Sequence, residues 1–305
     1  MRADVTHDLS AGMGCGDVSV GAAVRWGARA LMSGGIETPR LDAEVLLGYV
    51  LSVERTQLYV RWDKPLDAQS AQQFVGLVRR RMAREPVAYL IGERAFYDLD
   101  LYVTDDVLVP RPETEHLVEA ALAWGQRHAT RPLRVADVGT GSGALAIALA
   151  RHLGRAHVWA ADISIEALHV AARNVRRYDL EKRVTLVCGD LLQPFITPFD
   201  LIIANLPYVA HGEFHSLSPE VAVYEPRLAL DGGEDGLDLI RRLMPQVPER
   251  LTVQGELLLE IDRRQANEVV GLVRRYLPKA EINVMRDYAG MERVVCAERK
   301  GLGKE

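Results

Sequence analysis

The sequence predicts an α/β fold: a mostly parallel sheet covered on both faces and closed by one antiparallel strand, preceded by a small helical domain and a linking β-hairpin. Three observations predict it. From Leu133 onward, continuous apolar runs alternate with amphipathic helical runs, the pattern of parallel strands buried under helices. The last such segment, "EINVMRDYAGMERVVCAER", reads as two strands around a turn, which turns one strand antiparallel to its neighbours. Before about residue 90, apolar residues recur at helical spacing instead.

The elements follow in order. Residues 1–17 are polar and glycine-rich, and are expected to form a disordered tail. They contain no apolar stretch of the kind a secretory signal needs. Residues 18–90 carry the helical runs "VGAAVRWGARALM", "RLDAEVLLGYVL" and "AQQFVGLVRRRMA", punctuated by Pro39, Pro65 and Pro86. Arg79, Arg80, Arg81 and Arg84 end the third run as a solvated basic tip, or face an acidic or phosphate-bearing partner. Residues 91–112 alternate aromatic and apolar residues with aspartates, as a hairpin linker does. Residues 113–305 form the main domain. Its first helix is "EHLVEAALAWGQRH", with acids in the first turn where the helix dipole favours them. Strands follow at "LRVADVG", "HVWAADIS", "RVTLVCGD", "FDLIIANLPY" and "GELLLEID", and "GLDLIRRLMPQVPERL" reads as one helix.

Bulk properties narrow the function. The 305 residues are 48% hydrophobic and 26% charged with a net charge of −5, enough for a sizeable core and against a strongly basic nucleic-acid surface. Cys15, Cys188 and Cys296 are sparse and odd in number, which suits a reducing cytoplasm and offers neither a zinc cluster nor a disulfide framework. No run is long and apolar enough for a membrane helix.

The strongest motif is "DVGTGSG", Asp137 to Gly143, between a strand and a helix. Gly139, Gly141 and Gly143 let the backbone approach a ligand, with Thr140 and Ser142 between them. Asp162 ends the second strand about 20 residues on, where an acid can hold both ribose hydroxyls. Asp190 ends the third strand. Ligands of open α/β sheets bind at such strand ends. The spacing is neither the dinucleotide G-x-G-x-x-G nor a P-loop. The tight loop behind Asp137 suits S-adenosyl-L-methionine, a nucleoside without phosphate.

The fourth strand ends in Asn205-Leu206-Pro207-Tyr208. The Asn205 side-chain oxygen and the Leu206 carbonyl are two acceptors, able to hold a planar NH2 group. Pro207 stiffens the turn, and Tyr208 offers a ring for stacking. The target is then a conjugated nitrogen, either a side-chain carboxamide or the exocyclic amine of a base. Two further features are weaker. His211 and His215 are four residues apart but lack a third metal ligand, so no metal is expected. Glu260-Ile261-Asp262 end the fifth strand and either line the cleft or start a helix.

With the loop and the tetrapeptide in place, the chain resembles the protein-(glutamine-N5) methyltransferases of peptide chain release factors. The likeness runs from about residue 20 to 299, through "EPVAYLIGERAFYDLDLYVTDDVLVPRPETE", "DVGTGSGALAIALA", "NLPYV", "YEPRLALDGGEDGLDLIRRL" and "DYAGMERVV". It implies a seven-stranded, Rossmann-like class I methyltransferase sheet behind a helical partner-docking domain. It also implies an S-adenosyl-L-methionine site at Gly139 to Gly143, Asp162, Asp190 and Asn205, with Arg111 and Thr114 on its wall. The substrate would be the glutamine of a Gly-Gly-Gln tripeptide, held by Asn205 to Tyr208. Leu206 stands where the family commonly has proline, and Asp262 where it commonly has glycine. The expected protein is a cytoplasmic monomer whose partner is a release factor, with no stable nucleic-acid or membrane partner. The competing activity is methylation of an adenine amino group in DNA or RNA, using the same acceptor geometry.

Overall fold

The computed structural model describes residues 18–128 and 130–300, so the tail 1–17 lies outside the described residues. The chain forms two compact units. Of the described residues, one unit joins those up to Gly92 with Pro219–Tyr224, and the other takes the rest.

The first unit is helical: α1 (Val20–Ser33), α2 (Pro39–Val50), α3 (Arg55–Val60), α4 (Ala68–Met82) and α5 (Val87–Ile91). Local chemistry sets the starts. The Ser19 hydroxyl accepts from the Ala22 amide at 3.2 Å and Asp67 from the Ser70 amide at 2.8 Å, each satisfying an orphan donor of the first turn. Pro39 occupies the first turn of α2, where its missing N–H costs nothing. Leu31, Leu46, Leu47, Leu58 and Phe74 are fully buried in this unit's own core. Buried Arg81 bonds Asp42 at 2.7 Å and Glu220 at 2.9 Å. The Tyr224 hydroxyl donates to the Ala83 carbonyl at 2.8 Å. Sequence position assigns Pro219–Tyr224 to residues 113–305, but these contacts place it with the helical unit.

The second unit opens with a hairpin, β1 (Glu93–Phe96) and β2 (Leu99–Tyr102). A 3-10 turn, Pro112–Thr114, leads into α6 (Glu115–Arg127). Then come β3 (Leu133–Val138), α7 (Ala144–His152), β4 (Ala156–Asp162), α8 (Ile165–Arg177), β5 (Val184–Cys188) and β6 (Phe199–Ala204). The chain closes through α9 (Asp238–Leu243), β7 (Leu251–Glu260), α10 (Ala266–Tyr276), β8 (Ala280–Arg286) and β9 (Glu292–Arg299).

The seven-stranded sheet has the order β5-β4-β3-β6-β7-β9-β8. Neighbours from β5 to β7 are parallel; β9 runs antiparallel to both β7 and β8. This is the expected sheet with its one reversed strand. Val135, Leu201, Ile203 and Leu258 pack on one face against Leu117 and Trp124 of α6 and Ile147 of α7. Val138, Ile202, Ala204 and Leu257 pack on the other against Leu243, Val269 and Val273. The helix expected from "GLDLIRRLMPQVPERL" is broken: α9 stops at Leu243, a 3-10 turn covers Met244–Gln246, and a single turn, Val247–Arg250, precedes β7. Pro245 and Pro248 lack the N–H a continuous helix needs, and their rings crowd the preceding turn.

One buried side chain ties the hairpin to the glycine loop. Asn174 of α8 accepts from the Tyr102 amide at 2.8 Å and donates to the Tyr102 carbonyl at 2.8 Å and the Ser142 carbonyl at 2.9 Å. Asn174→Ala strands three backbone groups around a fully buried position. We expect it to lower stability by about 2–4 kcal/mol, read by urea unfolding of the full chain; a loss within error of zero would remove the staple.

Candidate active site

The sheet's register assembles the site. Val138 stands abreast of Ala161 on one side and Ala204 on the other, and Ala204 is abreast of Leu259. The next residues along these strands are Gly139, Asp162, Asn205 and Glu260, so all four leave the sheet at one level.

The glycine loop turns there. Gly139, Gly141 and Gly143 have φ of +76°, +53° and +84°, a region that penalises side chains. The Gly139 and Thr140 amides both donate to the Ala161 carbonyl, at 2.8 and 3.0 Å. A Cβ on Gly139 would also come within 3.1 Å of the Leu206 side chain. The Gly141 amide donates to Asp162 Oδ2 at 2.8 Å, and the Ser164 amide to Oδ1 at 3.0 Å. Burial raises the Asp162 carboxyl above its ordinary range, while these two amides pull it down. Behind the loop, Asp137 is fully buried. Its Oδ2 accepts from the Thr140 hydroxyl at 2.5 Å and the Ala146 amide at 3.1 Å, whereas Oδ1 has no partner. Burial pushes this carboxyl up to about 7.

These strand ends border a cavity of about 340 Å³. Gly139, Thr140, Gly141, Ser142 and Asp162 line one side, and Asn205, Leu206 and Pro207 another. Arg111, Thr114 and Asp190 complete the expected residues found in its wall. Asp190 bonds Gln193 at 3.0 Å and Arg242 at 2.5 Å. Arg111 pairs with buried Glu225. Gly143 and Tyr208 stand outside the lining. Gly143 caps α7. The Tyr208 phenol lies in the electrostatic reach of Glu260, Arg293 and Arg111; burial first, then Glu260, push it up to about 12.

At the β6 end, Asn205 Nδ2 donates to Thr114 Oγ1 at 2.9 Å. The amide nitrogen is thereby turned toward the wall, and the oxygen is left to accept. Glu260 sits behind this pair, 2% exposed, with neither carboxylate oxygen in a well-formed hydrogen bond. Burial pushes it up to about 7; nearby Thr114, then Arg293, draw it down. Of the two readings of Glu260 and Asp262, the helix start is not seen: α10 begins at Ala266, and Asp262 shapes the turn before it. Asp262 Oδ1 accepts from the Arg264 amide at 3.0 Å. His211 faces Asp231 at 2.9 Å, and no cluster of metal-ligating residues occurs among the described residues. The sequence reading missed Arg242 and the stretch from Asp105 to Leu108 in the cavity wall; neither carries a local motif.

Comparisons with known proteins bear on this geometry. The family described as "PrmC N-terminal domain" matches residues 22–92, and the family "Methyltransferase domain" matches residues 135–223. A protein of Geobacter sulfurreducens named release factor glutamine methyltransferase is 42% identical over 271 residues, covering 88% of this chain and 93% of its own. One of the same name from Moorella thermoacetica is 43% identical over 273 residues, covering 89% and 95%. A solved methyltransferase from Pyrococcus furiosus shares the fold, with TM-score 0.50 at 16% identity, over 74% of this chain and 98% of that one.

The buried acids make stability pH-dependent. Asp137 has an ordinary value of 3.8 and a folded value of about 7, so the folded chain holds its proton more tightly than the unfolded one. Its contribution is fully present below the ordinary value and is lost as pH rises through the folded one. Asp137→Asn keeps an acceptor for Ala146 and cannot ionise. Unfolding curves between about pH 4 and 7 should fall less steeply with pH for Asp137→Asn than for the wild type; parallel profiles would refute the assignment.

Proposed function

The chain belongs to the release factor glutamine methyltransferases, and from that premise we propose that the end of β6 holds the glutamine side chain of a release factor while its amide nitrogen is methylated. The observation that carries this is the hydrogen bond from Asn205 to Thr114. It commits the Asn205 amide nitrogen, so the Asn205 oxygen and the Leu206 carbonyl form a pair of acceptors beside the cavity. A carboxamide NH2 matches them with two donors. Its lone pair is delocalised and a poor nucleophile. Acceptors on both N–H bonds favour the positive charge that develops on nitrogen, and they aim the lone pair.

The cavity residues fit S-adenosyl-L-methionine. When bound, it supplies an electrophilic methyl group on a sulfonium. Each Asp162 oxygen takes one backbone amide and keeps a lone pair for a ribose hydroxyl. Gly141 has open space where a Cβ would stand, so its backbone can approach the ligand. Asp190, Arg111 and Thr114 we assign to the cofactor wall. Tyr208 stays a neutral phenol at the turn. The Gly-Gly-Gln segment of a release factor suits the site because glycines let an extended chain bring its glutamine close. We assign the helical unit the docking of that partner. The same reading makes the protein a cytoplasmic monomer without a stable nucleic-acid or membrane partner. No helix among the described residues is long and apolar enough to cross a membrane.

Single-turnover methylation of a release factor at saturating cofactor tests the acceptor pair. Asn205→Ala should lose ~10²–10³ in rate, the usual cost of one well-placed electrostatic group. Asn205→Asp should recover only part of it, because its charge favours the sulfonium before reaction as well as during it. A wild-type rate in Asn205→Ala ends the proposal. Separately, Asp162→Ala should weaken cofactor binding by about 1.5–3 kcal/mol in calorimetry, and unchanged affinity would remove Asp162 from the site.

A further inference from the structure

An asparagine amide can present either its oxygen or its NH2 to a ligand, and the two faces differ little in shape. An acceptor pair needs one of them. Something in the fold must therefore prevent Asn205 from turning over, and the register of the sheet points to what does. Ala204 of β6 is paired with Leu259 of β7, so the next residues, Asn205 and Glu260, stand side by side. In a parallel pair, residues in register project to the same face. That face is the one covered by α6, whose first turn follows Thr114.

We propose that Glu260 is a positioning residue: as a buried acceptor behind Thr114 and Asn205, it holds the Asn205 amide nitrogen against the wall and so keeps the amide oxygen toward the substrate. The inference rests on the substrate reading above and extends it by one residue.

The chemistry is that of donors and acceptors. Thr114 Oγ1 already accepts the Asn205 nitrogen at 2.9 Å. Its own hydroxyl proton therefore needs an acceptor elsewhere. Once ionised, above its value of about 7, Glu260 offers only acceptors, on both oxygens, and these are buried. The hydroxyl can donate to Glu260, and the second Asn205 N–H faces the same group. If Asn205 turned over, its oxygen would meet the carboxylate and its NH2 would face the substrate's NH2. Both contacts are unfavourable, so the carboxylate excludes the wrong face. The charged and titratable groups around it come from three segments: Arg293 of β9, Glu113 of the turn before α6, and the neutral Tyr208 phenol of the tetrapeptide. Arg293 is itself paired with Asp287 at 3.2 Å, which leaves Glu260 to the amide and the hydroxyl. Nothing in this role needs Glu260 to touch the substrate, and it does not line the cavity.

Glu260→Gln tests this. Glutamine has the same shape but brings an NH2 that invites the Asn205 oxygen to turn inward. We expect a tenfold or greater loss of single-turnover rate on a release factor at saturating cofactor, with cofactor affinity and thermal midpoint no worse than wild type. The decisive readout is the double variant. If Glu260 acts through Asn205, Glu260→Gln costs nothing further on the Asn205→Ala background; a general structural defect would cost the same on both. A wild-type rate in folded Glu260→Gln, or equal costs on both backgrounds, overturns the inference. Should Glu260→Gln fail to fold, Thr114→Val removes the intervening hydroxyl and Thr114→Ser restores it. Loss in the first with recovery in the second supports the inference, and equal rates overturn it. If Asn205→Ala itself reacts at the wild-type rate, the substrate reading fails instead, so the two failures are told apart.

Discussion

The site depends on the alignment of one strand. Val138 of β3 is level with Ala161 of β4 and with Ala204 of β6, and strand order reverses at β3. At such a reversal the helices after neighbouring strands leave to opposite faces and open a crevice. The glycine loop fills the middle of that crevice, with Asp162 and Asn205 on its flanks. A register slip of one residue would turn each of these side chains to the other face. The apolar pattern forbids this slip: Val135, Leu201 and Ile203 are buried on one face, and Val138, Ile202 and Ala204 on the other.

The same alternation puts Asp137, Asn205 and Glu260 on the face beneath α6 and α7. That face is mostly apolar, and polar groups there have few alternatives to one another. Asp137 is used up in shaping the loop, through Thr140 and the Ala146 amide. Asn205 gives one of its two N–H groups to Thr114. Low dielectric makes each such contact stronger, and each unmet group more costly, than in water. Burial therefore gives these few polar side chains definite orientations, while Asp190 and Arg111 nearer the solvent hold theirs through ion pairs.

Much of this was legible in the sequence, for reasons of periodicity and stereochemistry. Buried parallel strands must read as apolar runs, and the loop at Gly139 and Gly141 must be glycine because its φ is positive. Contacts between distant segments were not legible. Nothing near Thr114 announces that its hydroxyl meets Asn205, and nothing near Glu220 announces Arg81. Both are single polar contacts with no period to detect. The broken helix after Asp238 was a different kind of error. The apolar spacing across Pro245 and Pro248 reads as helical, but their missing N–H groups interrupt the helix.

The two departures from the family pattern can be understood as substitutions of one constraint for another. A proline at position 206 would stiffen the turn covalently, by restricting φ. Leu206 has no such restriction, but its side chain is buried against the glycine loop, 3.1 Å from where a Cβ on Gly139 would stand. Packing then supplies the rigidity, and it adds a second reason, beyond its φ, for Gly139 to remain glycine. At Asp262 the exchange runs from backbone freedom to side-chain bonding. A glycine there would leave the turn open to many conformations; Asp262 closes it by accepting from the Arg264 amide and side chain, while its own amide donates to Gln265 Oε1 at 3.1 Å. Gln265 in turn donates to the Tyr208 carbonyl at 3.3 Å. The turn after β7 is thus joined to the tetrapeptide after β6 through Gln265, by its one hydrogen bond to the Tyr208 carbonyl, so the residue that departs from the pattern helps hold the proposed substrate clamp.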